Sequence, residues 1–331
     1  MRVRALGSWV LFVLIATSGV GLGAFEVRAQ PKEPVRIGVL TDSWGPTPAT
    51  VGLRDGLQAL GYRDDEHFQI GVRFTQGDVA ALHGAARDLV AAGSDIIFAT
   101  TTGAAVAAQQ ATTIKPIVFA EVVGDPVKLG LVQSFARPGG NMTGVTSLAF
   151  ELAAKRLEIF KELVPGMKRI LIVYDPADPL NKAAAEVHRG AARQLGLVLV
   201  EGTPRTSEEA RQIIARARRP EIDGILASPA GVGLNIPGLV LEVAARQQVP
   251  TMFLAAYWVE RGALASYGPD LYESGRQAAR IVVKVMKGEP AGSIPVEMND
   301  RIEFVINLKV AKALKLTPTP AILQRADRLI D

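Results

Sequence analysis

The chain has 331 residues, 48% of them apolar, with a formal net charge of +4 and no cysteine. That length accommodates two ordinary domains with a core each, and that apolar share excludes a disordered chain. The missing cysteine excludes disulfides, thiol nucleophiles, cysteine–metal sites and a lipidated-cysteine anchor, while the near-balanced charge argues against a nucleic-acid surface.

Residues 1–29 read as a secretory signal peptide. Arg2 and Arg4 form a basic start, WVLFVLIATSGVGLG an apolar stretch, and Val27 and Ala29 the small-residue cleavage site. Cleavage after Ala29 removes three arginines and one glutamate and leaves the chain closer to neutral. No later segment has about 18 uninterrupted apolar residues, so the sequence predicts a soluble mature protein. The densest basic run, RARRP at 216–220, reads as the end of a solvated helix.

The first mature element, VRIGVL, is a short branched apolar run that stops at TDSWGPTP, which predicts a buried strand ending in a loop. ATVGLRDGLQALG follows with Leu53, Leu57 and Leu60 at helical spacing and Gly61 as the stop. FQIGVRF is a strand, DVAALHGAARDLVAAG a helix with Asp78 as N-cap, DIIFAT a strand, TGAAVAAQQAT a helix and KPIVFAE a strand. PVKLGLVQSFA reads as a further helix, capped by Asp125 with Pro126 at its first position and broken by Arg137–Gly140. NMTGVTS is a short strand leading out of this block.

The alternation then starts again. The helices are AFELAAKRLEIFKELVP, PLNKAAAEVHRGAARQLG, SEEARQIIARARR and IPGLVLEVAARQQ, and the strands RILIVYD, LVLVEG, DGILASP, PTMFLAA and GALASYG. A helix DLYESGRQAARIVVKVMKGE and a short strand–helix tail close the chain. Nearly all the strands are apolar throughout, as parallel sheets covered on both faces require. The fold class is therefore α/β, with two doubly wound Rossmann-like lobes in one chain.

PIVFAEVVGDPVKLGLVQSFARPGGNMTGV carries Asp125-Pro126-Val127, Gly130-Leu131-Val132, Arg137 to Asn141 and Thr143 to Val145. With GLRDGLQALGY and INLKVAKALKL, this resembles the bacterial ABC-transporter substrate-binding proteins of the tryptophan/tyrosine type, over nearly the whole mature chain. The resemblance implies a type I periplasmic binding protein: two lobes, a multi-strand hinge and a ligand in the cleft. The N-terminal lobe would comprise 34–145 plus about 268–294, and the C-terminal lobe 146–267 plus about 295–331. It implies a periplasmic location, a small-molecule ligand (an aromatic or apolar amino acid or related carboxylate), and a permease and ATPase subunits at the inner membrane as partners. Arg137–Gly140 would then be the turn that feeds the hinge.

In open α/β sheets ligands bind beyond the C-terminal strand ends. Here those ends carry Asp42, Ser43 and Trp44, then Thr100, Thr101 and Thr102, then Gly124 and Asp125; in the second block they carry Tyr174, Asp175, Ser228, Tyr257 and Tyr267. Threonine hydroxyls and free amides before a helix suit a carboxylate. Asp42, Asp125 and Asp175 suit a ligand ammonium, and each equally suits a helix cap. Aromatic residues with a polar handle suit a cleft wall. No catalytic, nucleotide-binding or metal motif is present, so no cofactor or metal is implied. His67, His83 and His188 read as loop and helix residues rather than bases. A ligand-sensing receptor subunit on the same fold is the alternative to transport; an enzyme on this scaffold is disfavoured by the missing nucleophile–base set.

Overall fold

The computed structural model describes residues 33–43, 45–147, 149–227 and 237–331, and structural statements below concern these residues. The signal-peptide segment, Trp44 and Ser228 lie outside them.

Apolar runs become buried strands because each run serves two faces at once. Ile96 and Phe98 of β3 (Ile96–Ala99) enter one core while Ile97 and Ala99 enter the other. Five further strands complete this first sheet: β1 (Val35–Thr41), β2 (Phe68–Phe74), β4 (Ile117–Val123), β5 (Met142–Ser147) and β11 (Glu297–Asn299). Its order is β11-β5-β4-β3-β1-β2, and every pairing is parallel. The second sheet has the order β13-β12-β10-β9-β8-β6-β7. Its strands are β6 (Arg169–Val173), β7 (Val198–Gly202), β8 (Gly224–Leu226), β9 (Thr251–Phe253), β10 (Ala265–Pro269), β12 (Ile302–Asn307) and β13 (Arg328–Ile330). The β10–β12 pairing is antiparallel and the others are parallel.

Helices cover both faces of each sheet. In the first lobe α2 (Leu82–Ala91) and α3 (Thr102–Ala111) lie on one face, and α1 (Pro48–Ala59) lies on the other beside a helix from late in the chain, α9 (Leu271–Met286). The second lobe packs α4 (Ala153–Leu163) and α5 (Pro179–Gln194) on one face, and α6 (Ser207–Arg216), α7 (Pro237–Gln247) and the short α8 (Ala256–Val259) on the other. The tail adds α10 (Leu308–Ala313) and α11 (Pro320–Arg325). Each sheet thus contains a reversal of strand order, between β1 and β3 and between β6 and β8, the position at which doubly wound sheets open a crevice.

The chain passes between the sheets after β5, after β10, and between β11 and β12. Because β11 pairs with β5, the last passage comes after Asn299 rather than near 294. Asn299 Nδ2 donates to the Asp270 carbonyl and to Ser274 Oγ at 2.8 Å each, stitching the last two passages together. Arg156, fully buried, donates from Nε to the Tyr267 carbonyl (2.7 Å) and from Nη2 to the Ala149 carbonyl (3.2 Å), joining the first two.

The helix expected over PVKLGLVQSFA does not form. Residues 126–130 make a single turn in which Leu129 N donates to Asp125 O, and the next amides return to Val127 and Pro126 carbonyls. Gly130 at φ +70° turns the backbone out of the helical region, and Gln109 Nε2 takes its carbonyl at 2.8 Å. Arg137–Gly140 form the turn before β5: Gly139 and Gly140 both have positive φ, and Gly139 N donates to Gly292 O.

Candidate functional site

A cavity of about 570 Å³ lies between the two sheets' C-terminal strand ends and takes lining residues from both lobes. That volume is in the range of small-molecule pockets. Its floor is built from β1, β3 and β4. Asp42 and Ser43 follow β1, Thr100–Gly103 join β3 to α3, and Glu121 projects from β4. The opposite wall comes from Asp178–Leu180 at the start of α5 and from Leu254, Ala255, Tyr257 and Trp258 after β9.

Glu121 owes its place to a β-bulge. The β4–β5 register shifts between Phe119 and Val122, and Glu121 sits there with φ +60°, a left-handed conformation that costs a non-glycine residue on the order of 1 kcal/mol. The bulge re-aims the side chain into the cavity, where Oε1 is shielded from solvent and has no hydrogen-bond partner. Burial, with the nearby Asp42 charge adding to it, holds the Glu121 carboxyl well above the usual range. Burial also raises Asp42, against which its own backbone amide and the Thr101 hydroxyl act by hydrogen bonding. Two enclosed carboxyls without a cation between them are an acceptor for positive charge.

The threonine run divides its work. Thr101 caps α3, its Oγ1 accepting from Ala104 N at 3.2 Å. Thr102 Oγ1 accepts from Val123 N at 2.9 Å and ties α3 to the end of β4. Thr100 is fully buried on the cavity wall, and its hydroxyl has no partner. The first-turn amides of α3 have no acceptor within the helix and face negative charge favourably.

Of the residues singled out in the sequence, Asp42, Ser43, Thr100, Thr101, Thr102 and Tyr257 line this cavity. Tyr257 and Trp258 lie on α8 rather than at a strand end, packed edge to face at 4.8 Å, with Arg261 stacked 3.4 Å over the Tyr257 ring. Gly124 stands at the rim: with φ +88°, a Cβ there would come within 3.1 Å of Leu180 of the other lobe.

Four others point elsewhere. Asp125 Oδ1 accepts from Val127 N, and Asp175 Oδ1 from Ala177 N, so both serve turns. Tyr267 packs its ring against Phe304 in the second lobe's core. Tyr174 is buried, its hydroxyl donating to Glu201 (2.6 Å) and accepting from Arg189 (2.7 Å). Tyr174→Phe is accordingly expected to cost about 1–2 kcal/mol of stability in urea unfolding and to leave ligand affinity by calorimetry unchanged.

The histidines differ from their sequence reading in two ways. His83 of α2 lines the cavity mouth, and His188 of α5 is buried, its imidazole pushed down to about 4 by burial and by Arg156. Glu121, Asp178 and Leu180 were not among the sequence candidates; for Glu121 the one signal was an acid closing an otherwise apolar strand.

A pH dependence follows. Carboxyls raised in the fold favour it fully below the unfolded value of about 4, and that contribution is lost as pH rises through their folded values. Glu121→Gln is therefore expected to reduce the decline of ligand-free stability with rising pH. His188 has the opposite slope up to about 6.5 and is common to both proteins. Denaturant midpoints of parent and variant compared from about pH 4 upward check this, the His188 contribution cancelling in the difference.

Residues 39–330 match the model of a family described as ABC transporter substrate binding protein. A tyrosine-binding protein of Clostridioides difficile (strain R20291) is 30% identical over 268 residues, 81% of this chain and 76% of that protein. The crystal structure of a conserved domain protein from Vibrio cholerae overlays with a TM-score of 0.77 at 32% identity, covering 90% of this chain and all of that one. An ABC domain from Streptococcus pneumonia in complex with L-Trp overlays at 0.74 and 26% identity, covering 89% of this chain and all of that one.

Proposed function

Because the chain belongs to the family of ABC transporter substrate-binding proteins, we propose that it is the periplasmic component of an importer and closes around an amino acid with an aromatic or apolar side chain. The observation that carries this reading is the inter-lobe cavity, acidic and hydroxyl-rich at the β1–β3–β4 end and apolar toward Leu254, Tyr257 and Trp258. Glu121 and Asp42 hold the ligand ammonium; the Thr100 hydroxyl and the α3 amides receive its carboxylate; Tyr257 and Trp258 wall the side chain. The tyrosine-binding relative and the L-Trp complex support the ligand class.

Closure follows from where these groups sit. A ligand held by β1, β3 and β4 gains the second-lobe wall only when the lobes close, and that differential contact shifts the population to the closed form. A permease that recognises the closed form then receives ligand from loaded protein, and ATPase subunits drive its passage. Residues 1–29 supply the export signal.

The test is thermal unfolding of ligand-stripped mature protein against amino acids, aromatic acids and nucleosides. A ligand at a hundred times its Kd adds about 2.7 kcal/mol. A shift with L-Trp, L-Tyr or L-Phe is expected; shifts confined to compounds without an amino group would overturn the amino-acid reading.

A further inference from the structure

The charged lining of the cavity is one-sided. Asp42, Glu121 and Asp178 reach it, and no Lys or Arg does among the described residues. The internal residues outside the description (Trp44, Leu148 and 228–236) include no Lys or Arg either. Two arginines touch lining residues. Arg261 stacks on Tyr257 and donates to its carbonyl at 3.0 Å, and Arg156 is fully buried, donating to the Tyr267 and Ala149 carbonyls while its Nη1 has no hydrogen-bond partner.

The three carboxyls are not equivalent. Asp178 is satisfied, its Oδ1 accepting from Leu180 N at 2.8 Å and from Asn181 N at 3.3 Å as the cap of α5. Asp42 has the Thr101 hydroxyl and its own amide. Glu121 Oε1 has no partner and is carried into the cavity by the bulge. A ligand carboxylate would find hydroxyls, helix amides, the Gln110 amide and the His83 imidazole, with no Lys or Arg among the described lining, in a field set by acids. A ligand ammonium would find an enclosed, unpartnered oxygen that no other described group serves. Charge-assisted bonds are about twice as strong as neutral ones, so the ammonium contact decides.

We infer that the cavity selects its ligand by a primary ammonium and does not require a carboxylate, so that arylalkyl amines bind alongside aromatic amino acids. The inference rests on the amino-acid reading above and narrows it: the apolar wall fixes the body of the ligand, Glu121 and Asp42 its amine, and the α3 end contributes a preference rather than a requirement.

Calorimetric titration of ligand-stripped mature protein separates the two claims, using three series: L-Trp, L-Tyr and L-Phe; tryptamine, tyramine and phenethylamine; and indole-3-propionate and 3-phenylpropionate. The amines are expected within about tenfold of the parent amino acids, and the deaminated acids at least about 100-fold weaker, a gap of the size set by one lost charge-assisted bond. Glu121→Gln is expected to erase binding of the amines. If the amino acids bind and the amines do not, this inference falls and the proposed function stands. If the deaminated acids bind as well as the amino acids, it also falls. If no member of the three series binds, this inference falls and with it the aromatic part of the proposed ligand class.

Discussion

Replacing Glu121 by glutamine is expected to weaken L-Trp or L-Tyr binding by about 100-fold or more, the equivalent of roughly 2.8 kcal/mol, without destabilising the ligand-free protein. The two halves of this expectation have one cause. The carboxyl is enclosed, close to a second acid, and unpartnered on one oxygen, so in the empty protein its charged form is disfavoured. An ammonium reverses that balance, because a charge pair shielded from water attracts far more strongly than one in bulk solvent. Glutamine keeps the shape and removes the charge, so it loses the pairing and sheds that penalty. Glu121→Gly carries the argument further: glycine accepts the φ of +60° without strain, so that variant should unfold at a higher temperature than the parent and bind no amino acid. Titration calorimetry for affinity and scanning calorimetry for stability read the two halves separately. A Glu121→Gln protein that still binds at parental affinity would remove Glu121 from the site.

Gly275→Ala is expected to destabilise the first lobe by about 3 kcal/mol. α1 and α9 cross with their backbones in contact. A Cβ on Gly275 would lie 2.0 Å from the Ala49 carbonyl oxygen and 2.7 Å from Leu53 N, and one on Gly52 would lie 2.0 Å from the Tyr272 carbonyl oxygen. Neither neighbour is a side chain that can rotate away, so the helices must separate and open the layer formed by Leu53, Leu57, Ala278 and Ala279. The melting temperature should fall by roughly 6–12 °C, given about 2–4 °C per kcal/mol in domains of this size. Gly190→Ala is the control. It lies within α5, nothing stands within 4 Å of its added Cβ, and it should stabilise by about 0.5–1 kcal/mol through helix propensity.

The architecture was legible because two-faced parallel strands leave a strong imprint. VRIGVL, DIIFAT and RILIVYD are apolar at consecutive positions, and only burial on both sides explains that. Helix caps were legible only in part: Thr101 of the threonine run caps α3, but Asp78, read as the N-cap of α2, accepts from Ala81 N in the turn before it, and α2 starts at Leu82 without a side-chain cap. The Asp125 segment misled because Asp-Pro at a helix start has the same letters as Asp-Pro in a turn, and Gly130 with Gln109 decided between them. The site was legible only as a set of strand ends. Which end residues face the cavity depends on geometry with no local code: a bulge turns Glu121 in, an Arg189–Glu201 pair holds the Tyr174 hydroxyl, and the β10–β12 pairing sets Tyr267 against Phe304.

The placement of α9 beside α1 also sets a timetable for the newborn chain. α1 leaves the ribosome with an apolar stripe whose permanent cover, α9, lies more than 200 residues downstream. At about 5–20 residues per second, that stripe waits for roughly 10–40 s. The first lobe therefore cannot mature as it emerges, and β11, which completes its sheet edge, comes later still. A chain that stays incomplete until its end has been made remains a substrate for whatever carries unfolded polypeptide. Premature stops anywhere before residue 271 should then yield insoluble fragments rather than a free-standing first lobe.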